Sequence, residues 1–135
     1  MSRVDVFVDT NVLMARLDVR DDRHREAVAL CALGPLLTSN FVVDELLTLL
    51  LARRGATASL RAAAALWRGA PIPVERVAEE DEAAAQRFFV RMAGAGASFT
   101  DCTSFALVER LEVEAVLSFD RHFHLPGTFA VRPSR

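Results

Sequence analysis

The stretch Val4-Asp5-Val6-Phe7-Val8-Asp9-Thr10-Asn11 sets the architecture of this 135-residue chain. Val4 to Val8 is a short run rich in β-branched and aromatic residues, the pattern of a buried strand. It ends in Asp9-Thr10-Asn11, where a polar side chain can cap a following helix over Val12 to Leu17. The rest of the chain continues the alternation. Val19 to Asp22 breaks the first helix, and His24 to Leu33 reads as a second, closed by Gly34-Pro35. Leu36 to Thr38 is a second strand, after which Ser39 or Asn40 opens a helix reaching Arg54, with Gly55 beyond it. Val43, Leu46, Leu47, Leu50 and Leu51 give that helix a buried face. Ser59 to Arg68, ending at Gly69, is a fourth helix. Pro71 to Val77 is a third strand whose prolines suit a sheet edge. Glu79 to Ala93 is helical, with four acids in the first turn where the helix dipole favours anions. Gly94 to Ala97 is a loop, Asp101 to Leu111 a sixth helix, Ala115 to Ser118 a fourth strand and Phe129 to Val131 a fifth. Strands separated by helices predict an α/β fold with a short, mainly parallel sheet of four to five strands covered on both faces.

Composition bounds the function. Length and the absence of linkers or repeats predict one domain over residues 1–135, and 52% hydrophobic with 25% charged residues suits a globular protein. All sixteen basic residues are arginine. Without lysine there is no Walker loop, no Schiff-base amine and no Ser-x-x-Lys hydrolase. A net charge of −2 argues against gripping nucleic acid by bulk charge, but not against handling it through a metal-loaded acidic pocket. Cys31 and Cys102 form neither a disulfide framework nor a zinc set. No apolar run approaches the roughly 18 residues of a membrane span and no signal-peptide layout opens the chain, so a cytoplasmic protein with no membrane partner is expected.

Sites in open α/β sheets form beyond the carboxyl ends of the strands. Asp9 ends the first strand, Asp120 follows the fourth, Asp101 opens the helix leading into the fourth, and Glu45 lies one turn into the helix leaving the second. Crowded carboxylates repel and must protonate or bind cations, and an all-oxygen set suits Mg²⁺ or Mn²⁺. Each acid also has a purely structural reading. Asp9 fits a helix cap, Ser98-Phe99-Thr100-Asp101 a capping box, and Asp120 a turn. Glu45 falls about 160° from the centre of the leucine face, which suits plain solvent exposure, and Asp44 is an alternative on spacing alone.

Val8-Asp9-Thr10-Asn11, Val43-Asp44-Glu45-Leu46, Ser98-Phe99-Thr100-Asp101-Cys102 and Leu117-Ser118-Phe119-Asp120-Arg121 resemble, in order and spacing, the four motifs of PIN-domain ribonucleases, above all the VapC-type toxins of toxin–antitoxin pairs. The resemblance spans essentially the whole chain. It implies a PIN-like three-layer α/β/α sandwich and a metal-dependent endoribonuclease toxin, neutralised by a cognate antitoxin. Carried over by position, Asp9, Glu45, Asp101 and Asp120 become the catalytic, metal-binding acids, with Thr10 and Asn11 supporting them; Glu45 is thereby chosen over Asp44. The implied cofactor is Mg²⁺ or Mn²⁺, and the implied cleavage leaves a 5′-phosphate and a 3′-hydroxyl. Where many relatives carry a further acid, this chain has Arg121, His122 and His124. The competing reading is a non-catalytic PIN-like RNA-binding or scaffolding module, which loss of site acids would mark; all four are present.

The remaining motifs carry less. His24, His122 and His124 read as surface or packing residues, because no paired cysteines accompany them as zinc ligands. Arg16, Arg20, Arg23 and Arg25 are candidate RNA contacts, or simply a solvated surface. Val42 and Leu49 lie outside the main leucine stripe, which suggests a homodimer; burial within one subunit is the alternative. An acid pocket also invites a guanidinium, so an antitoxin arginine is expected near Asp9 and Asp101.

Overall fold

Strand β1, Val6–Val8, has all three residues buried, as does β4, Ala115–Leu117. Side chains alternate between the faces of a strand, so unbroken burial means both faces are covered. These two strands pair in parallel at the centre of the computed structural model, which describes residues 5–68 and 72–134. β2 (Leu36–Ser39) flanks β1, β3 (Val74–Glu75) lies beyond it, and β5 (Val131–Arg132) borders β4. The order is β3-β2-β1-β4-β5, and every pairing is parallel. The expected α/β class holds.

Among the described residues six α-helices fill the connections: α1 Thr10–Leu17, α2 His24–Cys31, α3 Asn40–Arg54, α4 Ala56–Trp67, α5 Glu79–Met92 and α6 Phe99–Leu111. Residues 101 to 108 of α6 are all buried, so over these two turns the helix has no solvent-exposed face and lies in the interior. Its Phe105 packs edge-on against Phe88 of α5 and against Phe123.

Several boundaries differ from the sequence expectation. The fourth helix begins at Ala56, not Ser59, because Gly55 (φ +89°) reverses the chain at once and serves both as the end of α3 and the start of α4. Ser59 instead donates its hydroxyl to the Leu47 carbonyl at 2.9 Å, tying the two helices together. The third strand contracts to Val74–Glu75 at the sheet edge, and the fifth shifts to Val131–Arg132. Val4, Gly69 and Pro71 lie outside the described residues.

An ion pair joins α5 to α6. Asp81 is 2% exposed and receives both Nε and Nη2 of Arg110 at 2.8 Å, as well as the Ala78 N–H at 2.8 Å. Burial alone would raise the Asp81 carboxyl, but the guanidinium and the backbone donor hold it below its ordinary value. Asp81→Ala is expected to cost about 1–2 kcal/mol, since it frees a helix-start N–H and removes a two-point charge-assisted pair, leaving Arg110 the more distant Glu80 at 3.8 Å. Chemical denaturation measures it. A change below about 0.5 kcal/mol would mean the pair contributes nothing.

Candidate active site

The chain runs from β1 outward to β3 and then returns to the other side of β1 with β4, so the carboxyl ends of β1 and β4 lie side by side at the point where strand order reverses. That is where ligand sites form in open sheets of this kind. Asp9 leaves β1, and its N–H donates to the Leu117 carbonyl of β4 at 2.9 Å. Ser118, just past β4, links the two strand ends. Its hydroxyl donates to Asp9 Oδ2 at 2.9 Å and accepts the Asp120 N–H at 3.0 Å. Asn11 adds a second tie, its Oδ1 accepting the Phe119 N–H at 3.0 Å.

The four predicted acids meet in one open cleft, lined also by Thr10, Asn11, Asp21, Leu49, Arg53, Gly96, Phe119 and His122. Asp9 occupies the N-cap position of α1 but makes no capping hydrogen bond with its side chain. Its Oδ1 is buried without any partner, as is Thr10 Oγ1. Burial and the nearby charge of Asp101 push the Asp9 carboxyl up to about 8, against the weaker pull of the Thr10 and Ser118 hydrogen bonds. A cap reading does not account for a carboxyl held in this state. Asp101 fills both roles foreseen for it. It completes the capping box, accepting the Ser98 N–H at 3.0 Å and donating its own N–H to Ser98 Oγ at 3.0 Å, while it faces the cleft. Burial, followed by the charges of Asp120 and Glu45, raises its carboxyl despite the two Ser98 hydrogen bonds. Asp120 starts a 3-10 turn over Arg121–His124 and accepts the His122 N–H at 2.8 Å, so its turn role and its place in the cleft also coexist.

Glu45 is half-buried and turned into the cleft, whereas Asp44 is exposed and lines a different groove. Glu45, Leu49 and Arg53 recur at four-residue spacing on one stripe of α3, all facing the cleft. That spacing was available in the sequence, and it points to Arg53 as the cleft cation. Of the arginines singled out earlier, Arg23 stacks over the Phe119 ring at 3.6 Å, Arg20 pairs with Asp18, and none lines the cleft itself. His122 is the larger surprise: Asp101, Asp120 and His122 offer ligand atoms within 4.8 Å of one another.

The residues fit a divalent cation. Asp9 Oδ1 has no protein partner, and Asp9 and Glu45 line the cleft that holds the closer Asp101, Asp120 and His122 group, with one arginine at the rim. The cysteines offer no alternative chemistry: both thiols are buried and free, and burial raises Cys102 to about 11, far from a reactive thiolate.

An α/β fold with an acid cleft at the switch point defines a class, the open parallel-sheet domains with a site beyond the strand ends, and the comparisons with known proteins name the family. The PIN domain matches residues 6–127, and the chain belongs to that family. It is 37% identical over 130 residues to the 23S rRNA-specific endonuclease VapC20 of Mycobacterium tuberculosis, covering 95% of this chain and 98% of the relative. The crystal structure of that toxin, described as cleaving the Sarcin-Ricin loop, superposes with a TM-score of 0.85 at 36% identity over 95% of this chain and 99% of the other. The recognition as a VapC-type PIN domain is borne out. DNA-bound VapBC from Salmonella typhimurium (TM-score 0.72, 13% identity, 96% and 98% covered) shares the fold. So does FitAcB from Neisseria gonorrhoeae (TM-score 0.68, 17% identity, 93% and 95% covered).

Proposed function

We propose that this chain is a toxin endoribonuclease that hydrolyses RNA with Mg²⁺ or Mn²⁺, and that Asp9, Glu45, Asp101 and Asp120 carry the reaction. The observation that carries the proposal is the convergence of four acids from four separate segments on a cleft where a buried Asp9 oxygen has no partner. A divalent cation in such a site neutralises phosphoryl oxygens and acidifies a water. Asp9, Asp101 and Asp120 hold it, while Glu45 positions the attacking water and accepts its proton. Ser118 keeps Asp9 oriented towards the cleft, and Asn11 holds the Phe119 loop that forms part of its wall. Arg53 meets the phosphate with a planar pair of donors. Water attacks phosphorus in line and the bond to the 3′-oxygen breaks. The products are a 5′-phosphate and a 3′-hydroxyl, the latter taking its proton from solvent.

The 23S rRNA of the M. tuberculosis relative is the first substrate to test. Purified protein with added Mn²⁺ is expected to cut RNA at discrete positions, and end-labelling should find 5′-phosphates. Fragments ending in 2′,3′-cyclic phosphate would overturn the hydrolytic mechanism, and intact RNA under all cation conditions would favour the non-catalytic module.

The partners follow from the same reading. A cognate antitoxin is proposed, as in the VapBC and FitAB assemblies that share the fold, with an arginine placed near Asp9 and Asp101. A homodimer is proposed too, on altered grounds. Val42 is fully buried in its own subunit and Leu49 faces the cleft, so neither supplies pairing surface. The proposal rests instead on the exposed apolar side chains of Leu17, Leu51, Leu60 and Trp67. No described helix is long and apolar enough to cross a membrane.

A further inference from the structure

The 3-10 turn after Asp120 carries an imidazole into a cleft otherwise dominated by oxygen. His122 Nδ1 lies 2.7 Å from Asp120 Oδ1 and 3.8 Å from Asp101 Oδ2. Asp120 Oδ1 already accepts the His122 backbone N–H, and the buried Nδ1 makes no aligned hydrogen bond of its own. The short approach of this nitrogen to a carboxylate oxygen therefore lacks the geometry of an N–H···O bond. The other side of the ring is fitted to Gly96, which sits at φ +98° and whose missing Cβ would fall 2.9 Å from Nε2. Any larger residue at 96 would push the ring from its place. The same cleft contains Asp9, 3% exposed, with its unpartnered Oδ1. One nitrogen and two carboxylates thus offer ligand atoms within 4.8 Å of one another, close enough to share one ion.

We propose that His122, through Nδ1, is a nitrogen ligand to the divalent cation shared by Asp101 and Asp120, and that it turns the site from Mg²⁺ towards first-row transition ions. Mg²⁺ binds oxygen almost exclusively and keeps its waters, whereas transition ions accept imidazole. Gly96 is then a positioning residue, leaving the space that lets the ring reach the two acids. The proposal rests on the cation-binding reading given above and adds a ligand to it.

Mn²⁺ is the probe, because its electron spin reports directly bound nitrogen. Pulsed electron paramagnetic resonance of the Mn²⁺-loaded full chain should show ¹⁴N coupling of a bound imidazole. The coupling should disappear in His122→Ala and persist in His124→Ala, which changes the neighbouring histidine of the same turn. By titration calorimetry, His122→Ala should weaken Mn²⁺ binding about tenfold and Mg²⁺ binding much less. Gly96→Ala, with all ligands retained, should weaken Mn²⁺ in the same direction. Mn²⁺ that binds the wild type without nitrogen coupling overturns the His122 assignment alone and leaves the acid site standing. Coupling that survives in His122→Ala overturns it as well. Failure of both cations to bind overturns the cation-binding reading itself.

Discussion

Asp9→Asn should lower RNA cleavage at least about a hundredfold while raising the melting temperature of the cation-free protein at pH 7. The two effects have one cause. Burial and the Asp101 charge raise the Asp9 carboxyl to about 8, so the folded protein holds a proton there that the unfolded chain, near 3.8, releases at pH 7. Keeping that proton costs about 2–4 kcal/mol of folding free energy. Asparagine has nearly the same shape, can still accept from Ser118, and carries no charge to suppress. The melting temperature should rise by about 5 °C or more. Survival of the fold does not rest on capping, since the Asp9 side chain makes no cap bond. Reaction rates and scanning calorimetry on the same preparation decide the matter. A fully active variant removes Asp9 from the site; an unfolded one makes it a structural residue.

Chelation should abolish cleavage and expose a pH dependence that the loaded protein lacks. Between about 4 and 8 the cation-free folded state binds more protons than the unfolded chain, through Asp9 and, in the same direction, Asp101. Its stability therefore falls as pH rises through that window, by up to about 1.4 kcal/mol per pH unit for Asp9, with Asp101 acting in the same direction. Cation binding requires the ionised acids and releases the proton, so affinity moves the opposite way and should be about tenfold or more weaker at pH 6 than at pH 8. The stabilisation conferred by a fixed concentration of Mn²⁺ should accordingly grow with pH. Thermal melts with Mn²⁺ and with excess chelator, at pH 6 and pH 8, measure all of this. Undiminished cleavage in chelator, from a preparation free of other nucleases, would remove the metal mechanism, and a pH-independent melt would remove the buried-carboxyl account.

Local chemistry explains why the acids themselves were legible. Asp9, Asp101 and Asp120 each stand where a strand ends or a helix begins, and such positions follow from apolar runs, capping residues and breakers within a few neighbours; Glu45, a turn into α3, follows from the motif resemblance instead. The same local rules could not decide between a cap and a catalytic acid at Asp101, and the alternative was false: one carboxylate closes the capping box with Ser98 and also faces the cleft. Glu45 shows a related limit. Helical periodicity correctly turned it away from the leucine face, but whether the surface it reaches is flat or concave depends on what packs alongside. Here that surface is the cleft, and Leu49 and Arg53 share it.

The sequence by itself determined the order of strands and helices, the parallel sheet, and three acids at its carboxyl-end rim, Asp9, Asp101 and Asp120, because these depend on side-chain period and on backbone preferences over short spans. The tertiary structure alone decided which atoms meet. Ser118 reaches Asp9 across 109 positions, and Arg110 clamps Asp81 across 29. His122 fits against Gly96 and beside Asp101 only because a tight turn folds back over the start of α6. Val42 was open to a role in pairing until the neighbouring elements closed over it. Contacts of this kind are set by the simultaneous packing of elements distant in the chain, and no local pattern of residues encodes that geometry.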